Sequence, residues 1–327
     1  MSKPACVVTT IHPPSAAIRK LCEVFPGDRI IIGDRKTPKN WFQSGALFLS
    51  LHDQEGYPFD YVRKAPENHY SRKNIGYLRA FMEKASVVYD TDDDNIPNSN
   101  WKLRELDCSV RRAASGGWCN VYQFFHTSNI WPRGFALGCL QDGSRNLKDA
   151  ELVHAPVQQG VSDKAPDVDA IWRLTTPQQI KFSENLSVYL SHDTWCPFNS
   201  QITWWWPEAY PLMYLPAFVN FRMTDIWRSF VAQRCLWAMG WGVVHHSPAE
   251  VVQERNVHNL MHDFKDEIPG YLHNQEIAQV LDSLSLGHNT LKNLLLCYQA
   301  LVRAQFIPGD ELIPLEAWVN DLRKMGY

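Results

Sequence analysis

At 327 residues the chain is long enough for one large α/β domain with a helical extension, and too long for a small scaffold stapled by disulfides or metal. Its 32 basic and 35 acidic side chains nearly cancel, which argues against the broad positive field of a nucleic-acid surface, so no nucleic acid is expected among its partners. Eight cysteines occur without a Cys-x-x-Cys pair, so neither a zinc ribbon nor a dithiol redox motif is indicated, and they read as reduced, mostly buried thiols.

The chain opens on Met1 to Pro4 without a charged leader, and no later apolar run approaches roughly 18 residues. No membrane segment is expected in it, and a soluble, cytoplasmic setting is favoured. Cys6 to Ile11 reads as a strand closed by His12-Pro-Pro14, with Ser15 placed to cap a helix from Ala16 to Val24. Asp28 to Gly33 is a continuous apolar run of the kind a parallel sheet buries on both faces, and it breaks at Gly33-Asp-Arg-Lys-Thr-Pro38. Gly45 to Leu51 reads as another strand, helical spacing runs from Ser71 to Met82, and Val87-Val-Tyr89 is a strand that ends in acid.

From about 98 to 165 the reading is loops and short strands, and Ser162 to Asp169 is a turn leading into Ala170 to Leu174. Beyond Pro248 the spacing becomes helical through Asn256 to Phe264, Gln275 to Leu284 and Asn289 to Gln305. The predicted organisation is therefore an α/β domain over 1–247 and a helical region over 248–327 packed on it. Alternation of strands and helices predicts an open, mostly parallel central sheet flanked by helices, with ligands beyond the carboxyl ends of its strands. Those ends are Thr9 and Thr10, Gly33-Asp34-Arg35, and Asp90 to Asp94.

Asp90, Asp92, Asp93 and Asp94 crowd one strand end, and their mutual repulsion calls for a cation. Hard divalent ions take oxygen ligands, and Mn²⁺ or Mg²⁺ commonly binds one or two carboxylates while a substrate's phosphates fill other positions. Alternate residues of an extended segment point the same way, so Asp92 and Asp94 are the predicted metal ligands, with Asp90 and Asp93 orienting or facing elsewhere. An isolated Asp-x-Asp is by itself a weak signal that many solvated turns satisfy. An EF-hand is excluded, because its sixth and twelfth places would hold Asn95 and Trp101.

Arg72, Lys73 and Asn74 stand where a helix should begin, where unpaired N–H groups and the positive end of the dipole suit a diphosphate or a base edge. Asp34 could accept from a ribose hydroxyl or a base, with Arg35 and Lys36 toward phosphate, although a plain turn explains the same residues. Neither a Walker loop nor a dinucleotide fingerprint occurs. Farther on, Arg222, Asp225 and Arg228 recur at intervals of three, so a helix would hold the carboxylate between two guanidiniums as a catalytic base or orienting group. A surface ion pair is the competing explanation. Of the tryptophans dense between Trp195 and Trp241, most should be core and one or two could line an acceptor groove. Arg255 is a candidate phosphate contact and His258 a candidate late metal ligand, although a lone histidine is more often structural.

Val7-Val-Thr-Thr-Ile11, Gly33 to Pro38, Tyr70 to Tyr77, Tyr89 to Asn95, Phe221 to Arg228 and Gln253 to Asn256, taken in order, resemble the STELLO family of glycosyltransferases over nearly the whole chain. The stretch around Asp225-Ile-Trp227 is also similar, more distantly, to the reversibly glycosylated polypeptides and UDP-arabinopyranose mutases, with Thr224 where those proteins carry their first acid. The resemblance implies a GT-A-type nucleotide-diphospho-sugar transferase fold, a UDP- or GDP-sugar donor held by Thr9, Thr10, Gly33, Asp34, Arg35, Arg72, Lys73, Asn74, Asp93 and Arg255, Mn²⁺ or Mg²⁺ at Asp92 and Asp94, and a glycan or glycoprotein acceptor. Plant members act in the Golgi, a localisation that is not carried over. The sequence thus predicts metal-dependent glycosyl transfer, with a non-catalytic scaffold of the same fold and a nucleotide-sugar mutase as alternatives.

Overall fold

The computed structural model describes residues 2–114, 116–141, 146–176, 178–254 and 259–327. Strand β1 (Ala5–Thr10) leads to helix α1 (Ala16–Val24), where the Ser15 hydroxyl accepts from the Ile18 N–H as the predicted cap, and returns through β2 (Asp28–Gly33). Strand β3 (Leu47–Leu49) passes into the short helix α2 (Leu51–Glu55), closed by a reciprocal Ser50–Asp53 capping box. A 3₁₀ turn, Tyr70–Arg72, starts helix α3 (Lys73–Met82), and β4 (Val88–Thr91) follows. Gly76 is what lets α3 lie close on the sheet: a Cβ there would come within 2.5 Å of Val7 and 2.9 Å of Ile32.

The chain continues through β5 (Asn95–Pro97), β6 (Asp107–Ala113), β7 (Gly117–Trp118), β8 (Leu147–His154), β9 (Val157–Asp163) and helix α4 (Ala170–Thr175). Then come β10 (Leu186–Leu190), β11 (Thr194–Trp195), β12 (Ile202–Trp205), helix α5 (Thr224–Ala238) and β13 (Val243–Gln253). Helices α6 (Leu260–Asp282), α7 (Thr290–Arg303) and α8 (Leu312–Lys324) complete it.

The central sheet runs β3-β2-β1-β4-β12-β9-β13-β10-β6-β8, with β5 on β13, and β7 pairs β11 apart from it. From β3 to β4 every pairing is parallel, and this half carries the strand ends singled out above. β12 then enters antiparallel to both β4 and β9, and β9 and β13 are again parallel. The fold is thus the predicted α/β architecture with helices flanking a large sheet.

Three local expectations fail. Residues 98–165 contain the long strands β6, β8 and β9 rather than loops and short strands. β8 is an edge strand whose exposed Lys148 and Asp149 and half-buried Glu151 hide its alternation, and β9 carries Gln158 and Gln159 in the core. Gln158 is satisfied there by donating to the carbonyls of Glu105 and Ala155, and Gln159 by accepting from Thr203. The predicted boundary after residue 247 falls inside β13, which still pairs through Val251 and Val252. The helices expected over Asn256 to Phe264 and Gln275 to Leu284 are, within the described residues, one helix, α6, that passes through Pro269 and Gly270. Gly270 survives mid-helix because its open side receives the Met223 thioether.

Cys6, Cys119, Cys139, Cys196, Cys235 and Cys297 are buried and Cys22 and Cys108 half-buried, and all eight are free thiols. Trp204, Trp205 and Trp318 are among the largest fully buried side chains. Among the described residues no helix is long and apolar enough to cross a membrane.

Glu311, fully buried, ties the helical end of the chain to the segment leading toward α5: it accepts from the Tyr214 hydroxyl and from the N–H groups of Ala217 and Phe218. Burial pushes its carboxyl up from 4.5 to about 7, against the donors that favour the anion. An acid that holds its proton longer when folded stabilises the fold at low pH. This contribution is present below about 4.5 and is lost as pH rises to about 7. Chemical denaturation at several pH values should show stability falling across that window, and Glu311→Gln should flatten the fall. An unchanged profile in the variant would assign the pH dependence elsewhere.

Candidate active site at the carboxyl ends of the strands

A cavity of about 520 Å³ opens over the carboxyl ends of β2, β1 and β4. Thr9 and Thr10 of β1, Gly33 of β2 with Asp34 and Lys36 behind it, and Asp92, Asp93 and Asp94 beyond β4 all line it. Parallel pairing explains the convergence, since Thr10 is in register with Gly33 and Ala5 with Val88.

Asp92 to Asp94 are not an extended segment. β4 ends at Thr91 and β5 starts at Asn95, so the three acids form the turn between them. The alternation that was to place Asp92 and Asp94 side by side does not apply, yet the turn presents Asp92, Asp93 and Asp94 to the same cavity. Asp93 is fixed to β1 and α1, with its carboxylate accepting from the Thr10 hydroxyl and its carbonyl from Ser15. Asp92 accepts from the Tyr70 hydroxyl at 2.7 Å and from the Lys73 ammonium at 3.0 Å, while Gln253 donates to Asp94 at 3.2 Å. Among the described residues, no group of three or more His, Cys, Asp or Glu side chains forms a metal cluster.

Asp90 lies underneath, fully buried, between the Lys73 ammonium at 2.7 Å and the Arg228 guanidinium at 3.0 Å. Burial alone would depress both basic groups, but Asp90 outweighs it and holds each above its ordinary range. Lys73 also donates to the carbonyls of Thr91 and Ser200. Its charge is therefore spent within the protein, on the acids, rather than offered to a phosphate.

The triplet Arg222, Asp225 and Arg228 does not close on itself. Arg228 goes to Asp90, and Arg222 goes to Glu267 of α6 at 2.7 and 2.9 Å. Asp225 is instead gripped at 3.0 and 2.9 Å by Arg133, which also grips Asp167. One turn of helix brings residues near each other, but a buried charge seeks the best desolvated partner, and the packed elements supply it. Arg133, Asp167 and Glu267 are thus constituents that the sequence alone did not single out. Asp225 connects to the acidic turn through a chain: Ser200 donates to it at 3.4 Å, Ser200 and the Tyr70 hydroxyl meet at 2.6 Å, and Tyr70 reaches Asp92.

Other expected contacts are placed differently. Arg35 pairs with exposed Glu67 and does not line the cavity. Asn74 is buried, holding the backbone of Leu215 through both its amide groups and donating also to Tyr61. Arg72 lines the cavity but its guanidinium donates to Gln54 and to the Ala65 carbonyl. Asp34 accepts from the N–H groups of Arg35, Asn68 and His69, so it organises the loop that carries Tyr70. Arg255 and His258 lie outside the described residues. The aromatic side chains lining the cavity among the described residues are Tyr70 and Phe221, not tryptophans.

Comparison with known proteins gives concordant results. The family model for STELLO glycosyltransferases matches residues 222–327, which span the Arg222–Arg228 segment and all three terminal helices. "Probable glycosyltransferase STELLO1" of Arabidopsis thaliana is 27% identical over 353 aligned residues, covering 98% of this chain and 44% of the relative. "Probable glycosyltransferase STELLO2" of the same plant is 26% identical over 344 residues, covering 98% of this chain and 45% of the relative. The chain therefore spans less than half the length of either relative.

Proposed function

We propose, from the premise that the chain belongs to the STELLO family of glycosyltransferases, that it transfers a sugar from a UDP- or GDP-linked donor with the help of a divalent cation. The observation that carries this reading is the acidic turn after β4, which faces one cavity together with the ends of β1 and β2. Asp92 and Asp94 would hold Mn²⁺ or Mg²⁺, an all-oxygen pair suited to a hard cation, with phosphate oxygens and water as the other ligands. The ion, when bound, would neutralise charge on the departing diphosphate.

The protein's own side chains have separate tasks in this reading. Lys73 and Tyr70 fix the rotamer of Asp92, and Gln253 orients Asp94. Asp93 locks the turn to β1 and α1, so the carboxylates are held before any ligand arrives. Thr10, Gly33 and Lys36 line the cavity on the β1–β2 side, where the nucleoside and its phosphates would lie. Asp225, doubly bonded to Arg133 and absent from the cavity lining, takes the orienting role rather than that of a base. The acceptor is a glycan or a glycoprotein.

Thermal unfolding with Mn²⁺ and a panel of nucleoside diphosphates tests the reading. A ligand at 100 times its dissociation constant adds about 2.7 kcal/mol, so UDP or GDP should raise the midpoint measurably and adenosine diphosphate should not. No shift with any uridine or guanosine diphosphate, with or without metal, would remove the nucleotide-sugar reading.

A further inference from the structure

We infer that the cavity ends, on the side of Phe221, in a platform for an uncharged sugar ring. This rests on the nucleotide-sugar reading and names the class of group that the donor carries. Four strand ends set the direction. Gly33 of β2, Thr10 of β1 and the acidic turn after β4 follow one another in sheet order. β12 comes next, with Ile202 in register with Thr91, so the preceding Gln201 stands beside Asp92. With the diphosphate at the acidic turn, a nucleoside on the β2 side leaves the group beyond the second phosphate on the side of Gln201, Tyr70, Phe221 and Arg222.

Phe221 is the unusual member of that end. It is 56% exposed, although Trp227 a few residues along the chain is 4% exposed. Its ring meets the Tyr70 ring edge to face at 5.7 Å and 79°. Tyr70 is itself held by Asp92 and Ser200, so the aromatic surface is positioned relative to the acidic turn. An exposed aromatic face positioned against Tyr70 suits the C–H face of a sugar ring, while Gln201, which lines the same cavity, carries an amide suited to hydroxyls. The cation at this end, Arg222, is engaged with Glu267 at 2.7 and 2.9 Å, so its charge is balanced within the protein. A neutral hexose or pentose fits this surroundings better than a uronic acid.

Calorimetric titration in Mn²⁺ tests the platform with UDP, UDP-glucose and UDP-glucuronic acid, and with GDP and GDP-mannose. The native chain should bind a neutral nucleotide sugar more tightly than the matching diphosphate, and more tightly than the glucuronic acid conjugate. Phe221→Ala should reduce the preference for the neutral sugar over the diphosphate roughly tenfold, without changing diphosphate affinity, and Phe221→Trp should retain it. Because the ring is exposed, both variants should keep the native thermal midpoint. If diphosphate binds and Phe221→Ala leaves the preference intact, or if the glucuronic acid conjugate is preferred by the native chain, the platform is overturned while the nucleotide reading stands. If no diphosphate binds, both fall.

Discussion

Replacing Lys73 by methionine should lower the free energy of unfolding by roughly 3–5 kcal/mol. The ammonium is fully buried 2.7 Å from Asp90 and 3.0 Å from Asp92, and methionine fills similar space without charge. The variant leaves the fully buried Asp90 with Arg228 alone and Asp92 without its cation, and removing one partner from a buried charge cluster costs far more than losing a surface contact. Arg35→Met is the contrast: its pair with Glu67 is 67% and 40% exposed, and breaking an exposed pair costs about 0–1 kcal/mol. Urea denaturation at neutral pH measures both, provided the slope is unchanged. A loss below about 1 kcal/mol for Lys73→Met would mean that Asp90 is satisfied by other means and that Lys73 does not hold the charge cluster together.

Asp94→Ala should leave the fold near its native stability while lowering sugar transfer, or donor hydrolysis, roughly 10²–10³-fold, the scale of losing one element of preorganised charge stabilisation. Asp94 sits in a turn at the cavity rather than in the buried cluster, which is why the two effects should separate. Asp92→Ala should reduce transfer similarly and also perturb stability, because Lys73 and Tyr70 lose an acceptor. The pair is therefore diagnostic. Transfer by Asp94→Ala within a few-fold of native would exclude this carboxylate from the chemistry and favour a role for the turn in structure alone.

Much of the site's location was legible in the sequence, and its wiring was not. Cys6 to Ile11, Ser15, Asp28 to Gly33 and the acid after Tyr89 carry local signals, namely buried parallel-strand runs and a helix cap. Those signals are enough to place β1, α1, β2 and β4, and strand ends in a parallel sheet converge whatever the rest of the chain does. Even there Asp92 and Asp94 converge for a reason their spacing does not carry, because a turn and not an extended segment presents them.

Tertiary structure alone decided which charges meet. Arg222, Asp225 and Arg228 are neighbours by helical period, but their partners Glu267, Arg133 and Asp90 come from elements tens to more than a hundred residues away in the chain. Asn74 and Lys73 follow Arg72 at a helix start that reads as an anion site, yet packing turns Asn74 toward Leu215 and Lys73 into the sheet. Local periodicity fixes the direction in which a side chain leaves its element. Its partner is fixed by the element packed opposite and by the high cost of burying a charge without compensation, and neither is written in the residues adjacent to it.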